Sequence, residues 1–343
     1  MNHAKRKKED HIVLALEGSN DLAVNPGFSS YRFEHNALPE LDYATIDTST
    51  KFLGKINKIP LIIASITGGG KHSEKINISL AEIANDFKIG FAVGSQRIAI
   101  DDPIYTSHFK MRTYAPDALL FANIGAVQLN YGYSVDKCKM ALDMMDADAL
   151  ILHLNPLHEV FQVNGNTNFS CLLSKIEHLC RYLDAPVIVK EVGYGISSSL
   201  AKKLQGAGVY AVEIAGAGSI SWTDIERRRS NDVVLHAAAD AFGDWGNPTA
   251  ECIRSIAADV KGMKIIGSGG VRTGVDIAKA IALGADFCAN SRDFLRKITQ
   301  SREECENFIE SITMELRAAM FCTGCKSIND LKKAKLIKRT TPE

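Results

Sequence analysis

Lys264-Ile265-Ile266-Gly267-Ser268-Gly269-Gly270-Val271-Arg272-Thr273-Gly274-Val275-Asp276 reads as the end of a strand running into the start of a helix. The short apolar run gives way to Gly-Ser-Gly-Gly, and the stretch from Ala278 to Ala285 continues with helical character. Glycines at such a turn let backbone N–H groups come close to an anion, and the helix N-terminus adds partial positive charge. Arg272 is placed to pair with a phosphate or another anionic group. The next apolar run, Phe287–Ala289, hands over to Asn290-Ser291-Arg292. Closed α/β barrels often bind phosphate after their last two strands, so these units point to such a barrel. The alternative for this stretch alone is a tight glycine turn with exposed arginines.

Six more apolar runs lie upstream: Leu61–Ala64, Gly90–Val93, Leu119–Ala122, Ala149–Leu154, Val187–Val189 and Tyr210–Ile214. Each is continuous rather than alternating, as expected of parallel strands buried on both faces. Helix-length amphipathic segments separate them, among them Ser73–Lys88, Ser134–Met145, Cys171–Leu183, Ser198–Leu204 and Val275–Leu283. About eight βα units predict a (β/α)8 TIM barrel over residues 60–300. A doubly wound open sheet usually shows fewer strands and an early glycine fingerprint, and neither is present. Residues 1–59 are expected to cover part of the barrel, 217–246 to form an active-site insertion, and 301–343 a charged helical tail.

Composition narrows the function. The 343 residues are 46% hydrophobic, enough for a large core, and 40 basic residues balance 40 acidic ones. A formally neutral chain offers no electrostatic case for nucleic acid or an anionic membrane as partner. The basic run from Lys5 to Lys8 reads as a solvated terminus. No apolar stretch approaches the length of a membrane span, and no secretory pattern follows the first basic residues. The 8 cysteines lack a framework spacing and read as reduced thiols in a cytoplasmic protein. Cys322 and Cys325 have C-x-x-C spacing without a second pair, and Gly324 suggests a helix end instead.

In such barrels the active site lies at the carboxyl ends of the strands. Those ends read Thr67-Gly68-Gly69-Gly70, Gly94-Ser95-Gln96-Arg97, Asn123-Ile124-Gly125, His153-Leu154-Asn155, Lys190-Glu191 and Ala215-Gly216-Ala217-Gly218-Ser219, followed by the two described above. Lys190 ends a buried strand, where an unpaired ammonium is costly. It is suited to stabilising a reduced flavin ring or to forming a Schiff base; a structural pair with Glu191 is the alternative. His153 and His158 are candidate acid–base or hydrogen-bonding groups. Glu159 is a candidate ligand for Mg²⁺ with substrate phosphates, or a helix-start carboxylate.

Taken together, these motifs resemble the FMN-dependent, type 2 isopentenyl diphosphate isomerase family. The matching pieces run in the family's order from residue 7 to about residue 295. They include the basic pair with His11, Thr67-Gly68-Gly69, Ser95-Gln96-Arg97, Asn123-Ile124-Gly125 and His153-Leu154-Asn155. Val189-Lys190-Glu191-Val192-Gly193, Ser221-Trp222, Asp244-Trp245-Gly246 and Ser268-Gly269-Gly270-Val271-Arg272 follow. The resemblance implies a flavin held by Ile66, Thr67, Gly68, Ser95, Asn123 and Lys190. Its phosphate would lie near Ser219, Ser221, Gly269, Gly270, Arg272, Ser291 and Arg292. It implies a small isoprenoid diphosphate gripped by Lys7, Lys8, His11, Ser95, Gln96, Arg97, His153, Asn155 and His158, with Glu159 on Mg²⁺. Catalytic roles fall to His158, Lys190 and His153. The family reaction moves a double bond between isopentenyl and dimethylallyl diphosphate. It needs reduced FMN, with NADPH as reductant. By analogy with other FMN barrels, a homo-oligomer, a tetramer or octamer, is expected.

Several positions depart from the family. His158 stands where the family has Gln, Ile220 where it has Thr, Lys7 where it has Arg, and Asp293 where it has Pro. Lysine keeps the charge but lacks the bidentate fork of arginine. These changes keep open a related FMN oxidoreductase or isomerase with a different substrate, and a non-catalytic flavin-binding protein.

Overall fold

A continuous apolar strand has to bury two faces, and a closed barrel wrapped in helices supplies both. The computed structural model describes residues 14, 16, 24–65, 71–218 and 220–339, the side chains of 71 and 72 excepted. Its strands in chain order are β1 (Tyr31–Phe33), β2 (Thr50–Phe52), β3 (Lys55–Asn57), β4 (Leu61–Ile63), β5 (Gly90–Ala92) and β6 (Leu119–Gly125). They continue as β7 (Ala149–Leu154), β8 (Val187–Glu191), β9 (Ala211–Glu213), β10 (Lys264–Ser268), β11 (Phe287–Asn290) and β12 (Leu336–Lys338). Strands β4 to β11 close into a parallel barrel, each beside its neighbour in sequence, with β11 returning to β4. The protein is a TIM barrel.

Alternation along each strand sorts its residues. Ile62, Leu119, Phe121, Ala149, Ile151, Ile188, Ala211, Ile266 and Phe287 fill the interior as one apolar cluster. Their neighbours Leu61, Ile63, Leu120, Leu150, Val187, Val189, Val212 and Ile265 face the surrounding helices and join the larger outer core. The strands reach further than the apolar runs suggest: β6 extends to Gly125, β8 to Glu191 and β10 to Ser268. Their last rungs are polar because the inward face there is no longer core.

One end of the barrel is plugged. Strands β2 and β3 form a hairpin turned by Leu53 and Gly54, both with positive φ. Phe52 joins the interior cluster, with its ring centroid 4.8 Å from that of Phe287 and 6.4 Å from that of Phe121. Lys55 ties the hairpin down through Asp148 and the Ala118 carbonyl. Ala118, Asp148 and Tyr210 precede their strands, so the plug closes the end opposite the candidate site.

The connection after β9 folds into two helices, Trp222–Arg229 and Val233–Asp240. At the C-terminal end, the helix Arg302–Phe321 packs on the helices Gly274–Leu283 and Arg292–Gln300. The chain then returns to pair β12 with β1. Cys322 and Cys325 lie at the end of the long helix as free thiols, where the Gly324 N–H donates to the Phe321 carbonyl. Among the described residues, no helix is long and apolar enough to cross a membrane.

Candidate active site

Two residues beyond the last apolar rung, the inward positions become polar. Asn123 follows Phe121, His153 follows Ile151, Lys190 follows Ile188, Glu213 follows Ala211 and Ser268 follows Ile266. They form a hydrogen-bonded floor. Asn123 donates to the Ser65 hydroxyl at 2.6 Å, and its carbonyl oxygen lies 2.8 Å from His153 Nδ1. Lys190 Nζ is 2.8 Å from Glu213 Oε1, with the two side chains 10% and 1% exposed. Ser268 Oγ donates to the same carboxylate at 3.0 Å and accepts from the Ala215 N–H.

This floor sets protonation states. Burial, helped by His158 and Lys190, pulls His153 down to about 3, so its ring is neutral. With Nδ1–H donated to Asn123, Nε2 is left as an acceptor. Glu213 is the partner that makes a buried Lys190 tolerable. The proposed Lys190–Glu191 pair is therefore corrected. Glu191 falls in the outward phase, where its carboxyl accepts from the backbone N–H groups of Gly193, Tyr194 and Gly195. Burial pushes Glu191 up to about 7, against those hydrogen bonds.

A cavity of about 550 Å³ opens above the floor. One wall is the glycine turn after β10, with Gly269 at φ 94° and Gly270 at φ 75°. A Cβ on Gly269 would fall 2.3 Å from the Gly216 carbonyl oxygen, so only glycine fits. Ser291 and Arg292 line the same region, and Arg272 donates to the Gly218 carbonyl at 3.2 Å. Asp293 is tied to Asn290, accepting from its amide at 2.7 Å.

The facing wall comes from the end of β7 and from the helix Trp222–Arg229. Asn155 donates to Glu159 Oε1 at 2.8 Å, while Glu159 Oε2 accepts from the Asn166 N–H and from Gln162. Asn155 Oδ1 is buried and has no hydrogen-bond partner among the described residues. His158 Nε2 is 3.0 Å from Glu226 Oε1, and Arg229 donates to the other oxygen at 2.7 Å. The His158 ring stacks on Trp222 with centroids 5.0 Å apart. Ser95, Ile220 and Arg97 also line the cavity, Arg97 beside Asp101 at 3.5 Å.

Two expected site residues turn elsewhere. Gln96 is fully buried, and its amide bridges the Asn123 N–H and the Ala141 carbonyl, so it braces backbone instead of meeting a substrate. Ser221 caps the helix Trp222–Arg229, accepting from the Asp224 N–H, and does not line the cavity. Lys7, Lys8, His11, Ile66, Thr67, Gly68 and Ser219 lie outside the described residues. Sequence reasoning missed Glu213, Glu226 and Ser65. Glu213 alone carried a signal, a carboxylate inside an apolar strand.

A parallel barrel with a glycine cradle after its seventh strand and a polar strand-end cavity is of the class of α/β barrels that bind phosphate groups there. The family described as FMN-dependent dehydrogenase matches residues 137–338. Solved structures similar in fold include a mandelate oxidase with (S)-mandelic acid (TM-score 0.66, 17% identity, 98% of this chain and 97% of that one). A putative lactate oxidase of Pediococcus acidilactici is another (TM-score 0.64, 18% identity, 95% and 87%). Curated relatives are more specific. An isopentenyl-diphosphate delta-isomerase of a Nostoc species is 45% identical over 97% of this chain and 95% of its own. Those of a Synechococcus species (46%, covering 93% and 92%) and of Oceanobacillus iheyensis (41%, covering 95% and 94%) match similarly. The chain belongs to the isopentenyl-diphosphate delta-isomerase family, in its FMN-dependent, type 2 form.

Proposed function

We propose that the protein interconverts isopentenyl and dimethylallyl diphosphate with reduced FMN and Mg²⁺, NADPH supplying the reduction in the cytoplasm. One observation carries this reading: the Lys190–Glu213 floor, the glycine cradle and the Asn155–Glu159 wall all face one cavity.

The residues fit the cofactor. At Gly269 and Gly270 the places of a Cβ are taken by Gly216, Gly218 and Pro26, so the positive-φ turn lines the cavity with backbone alone, and Arg292 beside it is only 8% exposed. Ser95, Asn123, Lys190, Gly269, Gly270, Ser291, Arg272 and Arg292 would hold FMN. Bound and reduced, FMN supplies the acid–base chemistry that moves a proton across the allylic system without net redox change. The residues also suit a hard cation. Glu159 is buried and meets only neutral donors among the described residues, and the unpaired Asn155 Oδ1 is a second oxygen nearby. No group of three or more metal-ligating side chains gathers among the described residues, so substrate phosphates and water would complete the shell.

The chain's own groups do the positioning. Lys190, paired with Glu213, stabilises developing negative charge. His153 is neutral in the free protein, and an anion beside it draws the ring toward its protonated, donating form. Arg97, His153 and Asn155 grip the diphosphate, joined by Lys7, Lys8 and His11. His158 is held by Glu226 and Trp222 on the wall that meets the isoprenoid. Its imidazole, where the family has an amide, favours a second reading: an FMN enzyme acting on another substrate. Self-association into a tetramer or octamer accompanies the first reading.

The test is anaerobic. The flavin is reduced with NADPH, isopentenyl diphosphate and Mg²⁺ are added, and the dimethylallyl isomer is followed by NMR. Turnover is expected, and His158→Gln is expected to raise it severalfold by restoring the family's amide. A reduced flavin that leaves isopentenyl diphosphate untouched but is reoxidised by another metabolite overturns the isomerase reading.

A further inference from the structure

Residues 24–33 run from behind the glycine cradle to a pairing with residues 336–339. Pro26 packs directly on it: a Cβ added to Gly270 would fall 2.7 Å from Pro26 Cβ, and one added to Gly218 would fall 2.6 Å from three Pro26 atoms. Pro26 does not line the cavity, so it backs the turn. Its carbonyl accepts from the Ala250 N–H at 2.9 Å. Two residues on, the Phe28 carbonyl accepts from Lys279 at 3.0 Å, on the helix that begins just after the cradle. Strand β1 comes next, and β12 is its one strand partner among the described residues, with Arg32 opposite Ile337. The Arg339 N–H donates to the Ser30 carbonyl at 2.9 Å, extending the ladder toward Pro26.

We propose that the C-terminal strand Leu336–Lys338 is a positioning element for the cofactor phosphate, holding Pro26 against Gly218 and Gly270 through β1. The physical need is plain. Glycines with positive φ are free in solution and must be stiffened before their N–H groups can bind an anion cheaply. The segment 24–30 has little regular structure of its own, only a turn at Phe28–Ser30, so it relies on external anchors. A two-stranded ladder of three residues is marginal alone, and here it is held because the chain before β12 packs on the barrel's outer helices. The last strand thus reaches the cofactor without touching it. Leu14 and Leu16, upstream of the same segment, pack with Ile220 and Leu295 at the mouth of the cavity.

This inference rests on the phosphate lying at the Gly269-Gly270 turn, so the test separates the two. Full-length protein freed of flavin is titrated with FMN and, in parallel, with riboflavin, which lacks the phosphate. Wild type is expected to prefer FMN; equal affinities overturn the phosphate placement and the inference with it. Two single variants follow. Ile337→Pro removes an N–H two residues from Arg339, in the same ladder register. Pro26→Gly removes the ring from the back of the cradle. Each is expected to raise the FMN dissociation constant about tenfold while leaving riboflavin within about twofold. In the double variant the loss is expected to match the larger single loss, because both act through one contact. Unchanged FMN affinity in both single variants overturns the proposal. So does an equal loss for FMN and riboflavin, or additive losses in the double variant.

Discussion

Lys190 would be an expensive side chain at the end of a buried strand if Glu213 were not 2.8 Å away. Removing one member of such a pair leaves the other charge stranded, which costs far more than removing both. Lys190→Met is therefore expected to lower stability by about 3 kcal/mol. Adding Glu213→Gln should recover at least half of that loss, read from denaturant midpoints. A double variant as unstable as the single one would deny that the charge is the cause. His153 and Glu191 make a second case, because burial moves them in opposite directions. His153 falls from 6.5 to about 3, so the stability it brings is whole above pH 6.5 and is lost as pH falls toward 3. Glu191 rises from 4.5 to about 7, so its contribution is present below pH 4.5 and is lost as pH rises toward 7. In wild type the two slopes oppose each other between pH 4.5 and 6.5. His153→Asn removes one of them. On acidification from about pH 6.5 to about 5.5, the variant should gain about 1 kcal/mol relative to wild type. Parallel midpoint profiles would show that His153 is not held neutral.

At the scale of elements, the hairpin β2–β3 and the strand-end loops divide stability from chemistry. Phe52 is 3% exposed and fills the lower end of the barrel against Phe121 and Phe287. Phe52→Ala is expected to cost about 3–5 kcal/mol, since a rigid barrel collapses little around the void. The flavin absorption spectrum should be unaltered, because the polar floor lies at the opposite end. A shifted flavin band would mean that the plug reaches the site. The strands themselves were readable as apolar runs, and their ends as polar motifs. Reading by run alone, however, hid which residues point inward. The run Tyr210–Ile214 contains Glu213, and its in-phase position after Ala211 only gains meaning once the strand is known to face a closed interior. Gln96 and Ser221 show the reverse error. Both stand in motifs that match the family, yet one braces the backbone of a strand against that of a helix and the other caps a helix.

For the whole molecule, the barrel, its polar mouth and its family were present in the order and spacing of the motifs. Local periodicity is enough for that: continuous apolar runs separated by amphipathic helices have few ways to bury themselves other than as a wrapped parallel sheet. What only the tertiary structure decided is which groups pair. Lys190 meets Glu213 instead of its neighbour Glu191, His158 meets Glu226 in the insertion, Pro26 packs behind Gly270, and β1 pairs with β12. The physical reason is distance along the chain. Such contacts join residues separated by tens to hundreds of positions, and barrel closure, strand phase and helix packing bring them together, none of which is encoded in any single stretch.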